Sequence, residues 1–212
     1  MVVIRPERPV DREAIYALHT TSFPSRAEAQ LVDALRARGR LSASLVAEVE
    51  GVVVGHIAFS PVTTASRAGG ARLAPVAVSE AQRRRGIGAE LVCAGLEACR
   101  AAGFGWVAML GEPRCYARLG FRPASEVGLS DEYGGGLAFQ VLELVRGALP
   151  VGAGQVPVRP GEPLASAATQ GRSRLPAPPH SSAAGRPTCR HVDLTLDNGR
   201  PARVTDPLGP RP

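Results

Sequence analysis

The chain has 212 residues, enough for one sizeable core plus an appendage, and its 44% hydrophobic content is ordinary for a globular protein. All 25 basic residues are arginine, and the missing lysine excludes a P-loop ending in Gly-Lys-Ser/Thr, a pyridoxal phosphate site and any Schiff-base lysine. The net charge of +6 divides unevenly: residues 1–146 carry 17 arginines against 15 acids, residues 147–212 carry 8 against 4. The basic excess therefore belongs mostly to the tail, which has no aromatic residue to stack on bases, so a nucleic-acid partner is disfavoured. No run approaches the roughly 18 apolar residues of a membrane span, the N-terminus lacks a signal-peptide pattern, and no cysteine pair has zinc spacing. A cytoplasmic protein with no membrane partner and no metal is expected.

In chain order, Val2-Val3-Ile4 is an edge-strand candidate stopped by Arg5-Pro6. Asp11 is placed to cap a helix over about residues 12–21 with Ile15 and Leu18 inward. Ser22-Phe23-Pro24-Ser25 breaks it, and Ser25 with Glu28 forms a capping-box pattern for a second helix, which has Leu31, Val32 and Leu35 as its stripe and Gly39 as its end. Strands follow over residues 45–49 and 52–62, joined by a tight turn at Glu50-Gly51. Residues 63–70 read as a polar connection.

The stretch from Leu73 to Ala102 organises the rest. Leu73 to Val78 is an apolar run with the reading of a buried strand, and Pro75 within it, unable to donate to a ladder, marks an edge or a bulge. The turn Arg83-Arg84-Arg85-Gly86-Ile87-Gly88-Ala89 then opens a helix with Ile87, Leu91, Ala94 and Ala98 on one face. A helix N-terminus offers unpaired N–H groups and partial positive charge, glycines admit close approach, and arginines add full charge. Together these make an anion site suited to a phosphate-bearing cofactor. Leu91 stands where a dinucleotide fingerprint needs its third glycine, so that fold is excluded.

Gly103-Phe104-Gly105 turns into a fifth strand, Trp106 to Leu110. Pro113 suits the first turn of a short helix, Gly120 its end, and Phe121 starts a strand; residues 136–145 supply the last. Beyond about residue 160 the composition shifts to Pro, Ala, Ser and Gly, with 12 of the chain's 19 prolines after residue 146. Two regions are therefore expected: a folded domain over 1–160, and a largely disordered tail over 161–212 that holds one alternating island, His191 to Gly199.

The Arg-x-x-Gly-x-Gly/Ala pattern (Arg83, Gly86, Gly88, Ala89) resembles the acetyl-CoA pyrophosphate loop of the GNAT (Gcn5-related) N-acetyltransferases. About 30 residues on, Pro-x-x-Tyr-x-x-x-Gly-Phe, from Pro113 to Phe121, resembles the family's second motif. Leu110 to Pro113 and Phe139 to Leu144 are similar to the predicted acetyltransferases called YhbS-like. The resemblance covers about residues 1–160 and implies an α/β (α+β) fold of the GNAT type: a mixed, mostly antiparallel sheet flanked by helices, with a bulged fourth strand splayed from the fifth.

It further implies direct transfer of an acetyl group from acetyl-CoA to the primary amine of a small molecule or protein, by a monomer or homodimer. Val76, Ala77 and Val78 would line the pantetheine; Arg83, Arg84, Arg85, Gly86, Ile87, Gly88 and Ala89 would hold the pyrophosphate, with only one or two arginine side chains in reach. Tyr116 takes the family's general-acid position. The base stays open, because Leu73 to Val78 contains no acid: Glu112 and His56 are the candidates, Glu28 is explained by its capping position, and water alone suffices for an amine of low pKa. That missing carboxylate also supports a second reading, a non-catalytic acyl-CoA-binding or protein-interaction module on the same fold. Acceptor choice would lie in the first two helices and in residues 125–136, where Asp131, Glu132 and Tyr133 are placed to receive a cation.

Overall fold

In a computed structural model of the chain, residues 1–63, 69–131, 134–150 and 154–156 are described. The expected boundary at residue 160, the tail and its island lie outside them. The described elements run β1 (Val2–Pro6), α1 (Arg12–Ser22), α2 (Ala27–Ala37), β2 (Ala43–Val49), β3 (Val52–Thr63), β4 (Gly69–Val78) and α3 (Ile87–Ala101). They continue with β5 (Trp106–Leu110), α4 (Pro113–Tyr116), β6 (Arg122–Pro123), β7 (Leu129–Asp131), β8 (Phe139–Glu143) and β9 (Gly154–Val156). Seven strands form one sheet in the order β1-β2-β3-β4-β5-β8-β6, while β7 and β9 pair separately. Every neighbour in the large sheet is antiparallel except β4 and β5, the parallel pair that α3 connects. The sheet is thus mixed and mostly antiparallel, as expected.

Local chemistry accounts for most of the boundaries. Glu50 and Gly51 both have positive φ (52° and 82°), as a two-residue hairpin turn between β2 and β3 requires. Ser25 lies one residue before the α2 cap position; its Oγ accepts the Ala27 N–H at 3.1 Å, so it serves the helix start as expected but from one step outside. Asp11 does stand at the α1 cap, yet its carboxylate does not cap the helix. It accepts Arg5 Nη1 and Nη2 at 2.7 and 2.9 Å and the Arg8 N–H at 2.6 Å, because the charged partners outcompete helix amides. β4 begins at Gly69, inside the stretch expected as a connection. Gly70 admits it: a β-carbon there would lie 2.2 Å from the Trp106 ring on β5.

α3 covers one face of the sheet and α1 with α2 the other. Under α3 lie Leu45, Ile57, Phe59, Leu73, Val76 and Val78, closed by Ile87, Leu91, Val92, Leu96 and Cys99. The opposite face packs Ile15 and Val32 on Val46 and Ala58. The buried stripe of α3 is rotated from the expected one: Ala94 and Ala98 are only half-buried, whereas Val92, Gly95, Leu96 and Cys99 are buried. Gly95 explains the rotation. A β-carbon there would meet the Phe59 ring at 2.2 Å, so the helix seats its bare backbone on this fully buried aromatic.

Candidate active site

Strand β4 has two halves. Gly70 to Leu73 pair with Trp106 to Met109 of β5, and there the parallel pairing ends. Beyond it, Val76, Ala77 and Val78 pair, among the described residues, only with β3, opposite Ile57, His56 and Gly55. The register slips between: Ile57 faces Val76 and Phe59 faces Leu73, so β4 holds one extra residue around Ala74-Pro75. Pro75 therefore marks a bulge, and at the bulge β4 and β5 part.

The parting leaves backbone groups facing the gap. The Ser79 N–H donates to Val54 on β3 (2.8 Å), and alternation turns the Ala77 N–H the same way. The N–H groups of Val76 and Val78 then point away from β3, toward the open edge. Their side chains stay in the core beneath α3.

The strand leads directly into the arginine loop. Arg84 (φ 60°) and Gly86 (φ 80°) are both left-handed, a pattern that folds successive amides into a concave nest. For Arg84 this conformation costs roughly 1–2 kcal/mol, strain of the kind found at ligand sites. The helix opens with Glu90 N–H bonded to Gly86 carbonyl (3.1 Å), and the N–H groups of residues 84–89 have no hydrogen-bond partner among the described residues. The three arginines separate clearly. Arg83 Nε donates to the Val78 carbonyl at 3.3 Å, tying loop to strand, and Arg85 donates to Gln82 Oε1 at 2.5 Å. Arg84 is exposed and has no partner among the described residues.

Tyr116 and Glu112 come from the chain that continues β5 past the gap. Glu112 is the cap residue of α4, exposed, and its carboxylate has no partner among the described residues. Tyr116, at the end of the same short helix, is 3% exposed and packs edge-on against Phe121 at 5.8 Å. It belongs to the core cluster of Val76, Val78, Met109 and Ile87, and its hydroxyl makes no hydrogen bond among the described residues. Burial, with a smaller contribution from Cys115, pushes its pKa up, so the phenol holds its proton at neutral pH.

His56 takes a different place from the one its sequence position suggested. It is fully buried, on the α1 face of β3, with both ring nitrogens engaged: Nδ1 with His19 Nε2 at 2.8 Å, and Nε2 with Ser44 Oγ at 2.9 Å. No lone pair is left to take a proton from a substrate directly. Burial lowers its pKa, a trend Glu7 at 3.6 Å partly offsets. Glu7 in turn accepts Ser44 Oγ–H and two bonds from Arg36, at 2.7 and 3.0 Å. Burial pushes the Glu7 carboxyl up, but His56, Arg36 and Ser44 outweigh it and hold it well below the usual range. Sequence reasoning missed this network, although His19 shares the face of Ile15, four residues before it. Asp131 is buried, not displayed, and accepts the Gly135 N–H at 2.8 Å; Glu132 and Tyr133 lie outside the described residues.

A split parallel pair whose free strand edge runs into a glycine-opened, arginine-rich helix start is the architecture of an acyl-CoA-dependent acetyltransferase. Residues 12–121 match the family model described as Acetyltransferase (GNAT) family, and the chain belongs to this family. Among its relatives is an uncharacterized N-acetyltransferase, YhbS, of Escherichia coli (strain K12), 41% identical over 151 residues that span 70% of this chain and 90% of that protein. The crystal structure of Escherichia coli YhbS in complex with CoA superposes with a TM-score of 0.70 at 40% identity, covering 74% of this chain and 88% of that one. A GNAT family acetyltransferase from Brucella melitensis, solved in complex with acetyl-CoA, superposes with a TM-score of 0.58 at 36% identity, covering 68% and 88%. Acetyl transfer from acetyl-CoA is thus the activity of the chain at the level of the family, and the GNAT fold read from the two motifs is the one observed.

Proposed function

We propose that this chain acetylates a primary amine by direct attack on acetyl-CoA held along the free edge of β4. The observation that carries the reading is the pair of amides, Val76 and Val78, facing a gap that ends at the nest of residues 84–89. The two parts fit one ligand: an extended polyamide arm for the strand edge, and a pyrophosphate for the nest. Arg84 is the arginine free to meet phosphate charge, while Arg83 and Arg85 hold the loop in shape.

Bound acetyl-CoA supplies the acetyl group as a thioester. Tyr116, which keeps its proton at neutral pH, donates it to the sulfur as the C–S bond breaks. Glu112, exposed where the chain leaves β5, receives the amine proton, directly or through water. His56 enters only through the network it shares with His19 and Ser44. The acceptor region is the α1–α2 segment together with the stretch around Asp131.

Acetyl-CoA should raise the melting temperature by mass action. Mass-spectrometric detection over an amine panel should then find an acetylated product together with released CoA. A cofactor that stabilises the chain but never yields product would favour the non-catalytic acyl-CoA-binding module. No stabilisation at millimolar acetyl-CoA would remove both readings.

A further inference from the structure

Strand β5 ends at Leu110, and the chain then crosses from the sheet to α4 through Gly111 and Glu112. Gly111 is held at both of its backbone polar groups. Its N–H donates to the Ala138 carbonyl at 3.0 Å, one step beyond the pairing of Leu110 with Phe139. Its carbonyl accepts Nε2 of Gln140 at 3.1 Å. A carbonyl oxygen only accepts, so the side-chain amide has to present its NH2 end, and its orientation is fixed.

Gln140 is 1% exposed and stands opposite Met109 in the antiparallel pair of β5 and β8, so the two side chains share one face, the face that α3 covers. Its strand neighbours Phe139 and Val141 pack on the other face with Trp106 and Ala108. A leucine at position 140 would bury no polar group there, whereas a glutamine buries an amide that is costly unless it is paired. What the amide holds is the backbone on which Tyr116 rests. A β-carbon at Gly111 would lie 2.8 Å from Cε2 of the Tyr116 ring and 2.5 Å from Cε of Met109. Tyr116 itself ends a four-residue helix, too short to fix a side chain by its own hydrogen bonds. Phe121 backs the ring edge-on, and the bare backbone of Gly111 lies against it.

We propose that Gln140 is a positioning residue for acetyl transfer. By holding the Gly111 carbonyl it fixes the crossing from β5 to α4, and with it the seat of the Tyr116 ring and the point from which Glu112 leaves the sheet. The inference rests on the acetyl-transfer reading and adds to it a residue that acts through Tyr116 and Glu112. The acid has to meet the thioester sulfur within hydrogen-bond reach, and a displacement of about 1 Å is enough to cost about 100-fold in rate. A side chain that restrains the backbone beneath the ring therefore bears on turnover more than on cofactor binding.

Fluorine NMR of the full chain labelled with 3-fluorotyrosine, at saturating CoA, tests this. The chain has three tyrosines, and the Tyr116 signal is the one lost in Tyr116→Phe. Gln140→Met keeps length and bulk but removes the donor, and should shift or split the Tyr116 signal while that of Tyr16 stays in place. With acetyl-CoA and the amine panel as acceptors, its kcat should fall roughly tenfold or more with the acetyl-CoA KM nearly unchanged. An unmoved Tyr116 signal overturns the proposal, and so does a change confined to KM. Gln140→Glu separates positioning from a loss of fold: its protonated carboxyl can again donate to Gly111, whereas the ionised form cannot, and burial favours the protonated form. The ratio of its kcat to that of the wild type should therefore recover as pH is lowered; a ratio flat with pH counts against the clamp. The melting-temperature rise of the wild type with CoA is read separately. Its absence sinks the acetyl-transfer reading, whereas its presence with an unmoved Tyr116 signal in Gln140→Met sinks only this inference.

Discussion

The two sides of β4 show opposite treatments of polar groups. Toward β5, the edge from Val76 to Val78 and the loop after it keep a row of amides without hydrogen-bond partners among the described residues. Toward α1, the neighbouring buried polar side chains engage one another until, among the described residues, a single nitrogen remains. Unpaired buried groups are costly, so a fold keeps them where a ligand completes them and removes them elsewhere. The open edge therefore reads as a binding surface, and the closed network as the structure that holds α1, α2 and β2 in place beside it.

The largest effect is expected on the closed side. Glu7→Ala strips Arg36 and Ser44 of their common acceptor, removes the carboxylate 3.6 Å from His56, and should cost about 3–4 kcal/mol, read as a fall in the denaturation midpoint. A loss below about 1 kcal/mol would show that the network contributes little. The same side should make the fold acid-sensitive. Because the native His19 pKa is lowered to about 3 from an ordinary 6.5, the unfolded chain binds the extra proton between those values. Its contribution is whole above about pH 6.5 and is lost as pH falls toward 3, on the order of 5 kcal/mol when complete. Asp11, lowered to about 2 chiefly by its bonds to Arg5, adds a further loss below about pH 4. A melting temperature flat from pH 7 to 4 would contradict the buried neutral histidine.

On the open side the effects should fall on activity. Tyr116→Phe removes a hydroxyl that has no hydrogen-bond partner among the described residues, so stability should hold while kcat drops roughly 100-fold. Equal losses of stability and turnover would assign the ring to packing instead. The smallest change is expected from Gly86→Ala. A side chain at φ 80° costs about 1–2 kcal/mol and should weaken CoA binding by distorting the nest. Unchanged CoA affinity would show that the nest is not the anion site.

The two regions also differ in how much of them the sequence reveals. The open side is written in local signals. Pro75 cannot serve a ladder, Gly86 permits a left-handed turn, and Tyr116 follows Pro113 at a fixed interval, so each feature is set by residues near in the chain. The closed side is assembled over separations of 37, 12 and 37 residues, by side chains whose meeting depends on strand register and helix placement. A lone histidine in a strand gives no hint of which partners register brings to it, which is why His56 reads as a candidate base until the fold surrounds it. The rotated stripe of α3 has the same origin, since the demand of Phe59 for a bare Gly95 comes from another element.

Amide hydrogen exchange with and without acetyl-CoA tests the central claim most directly. The account predicts that the Val76 and Val78 amides and those of residues 84–89 gain protection on binding, while the amides of Ser44 and His56 on the closed side change little. Protection that bypasses β4 and the arginine loop, or that appears equally across the sheet, would contradict it.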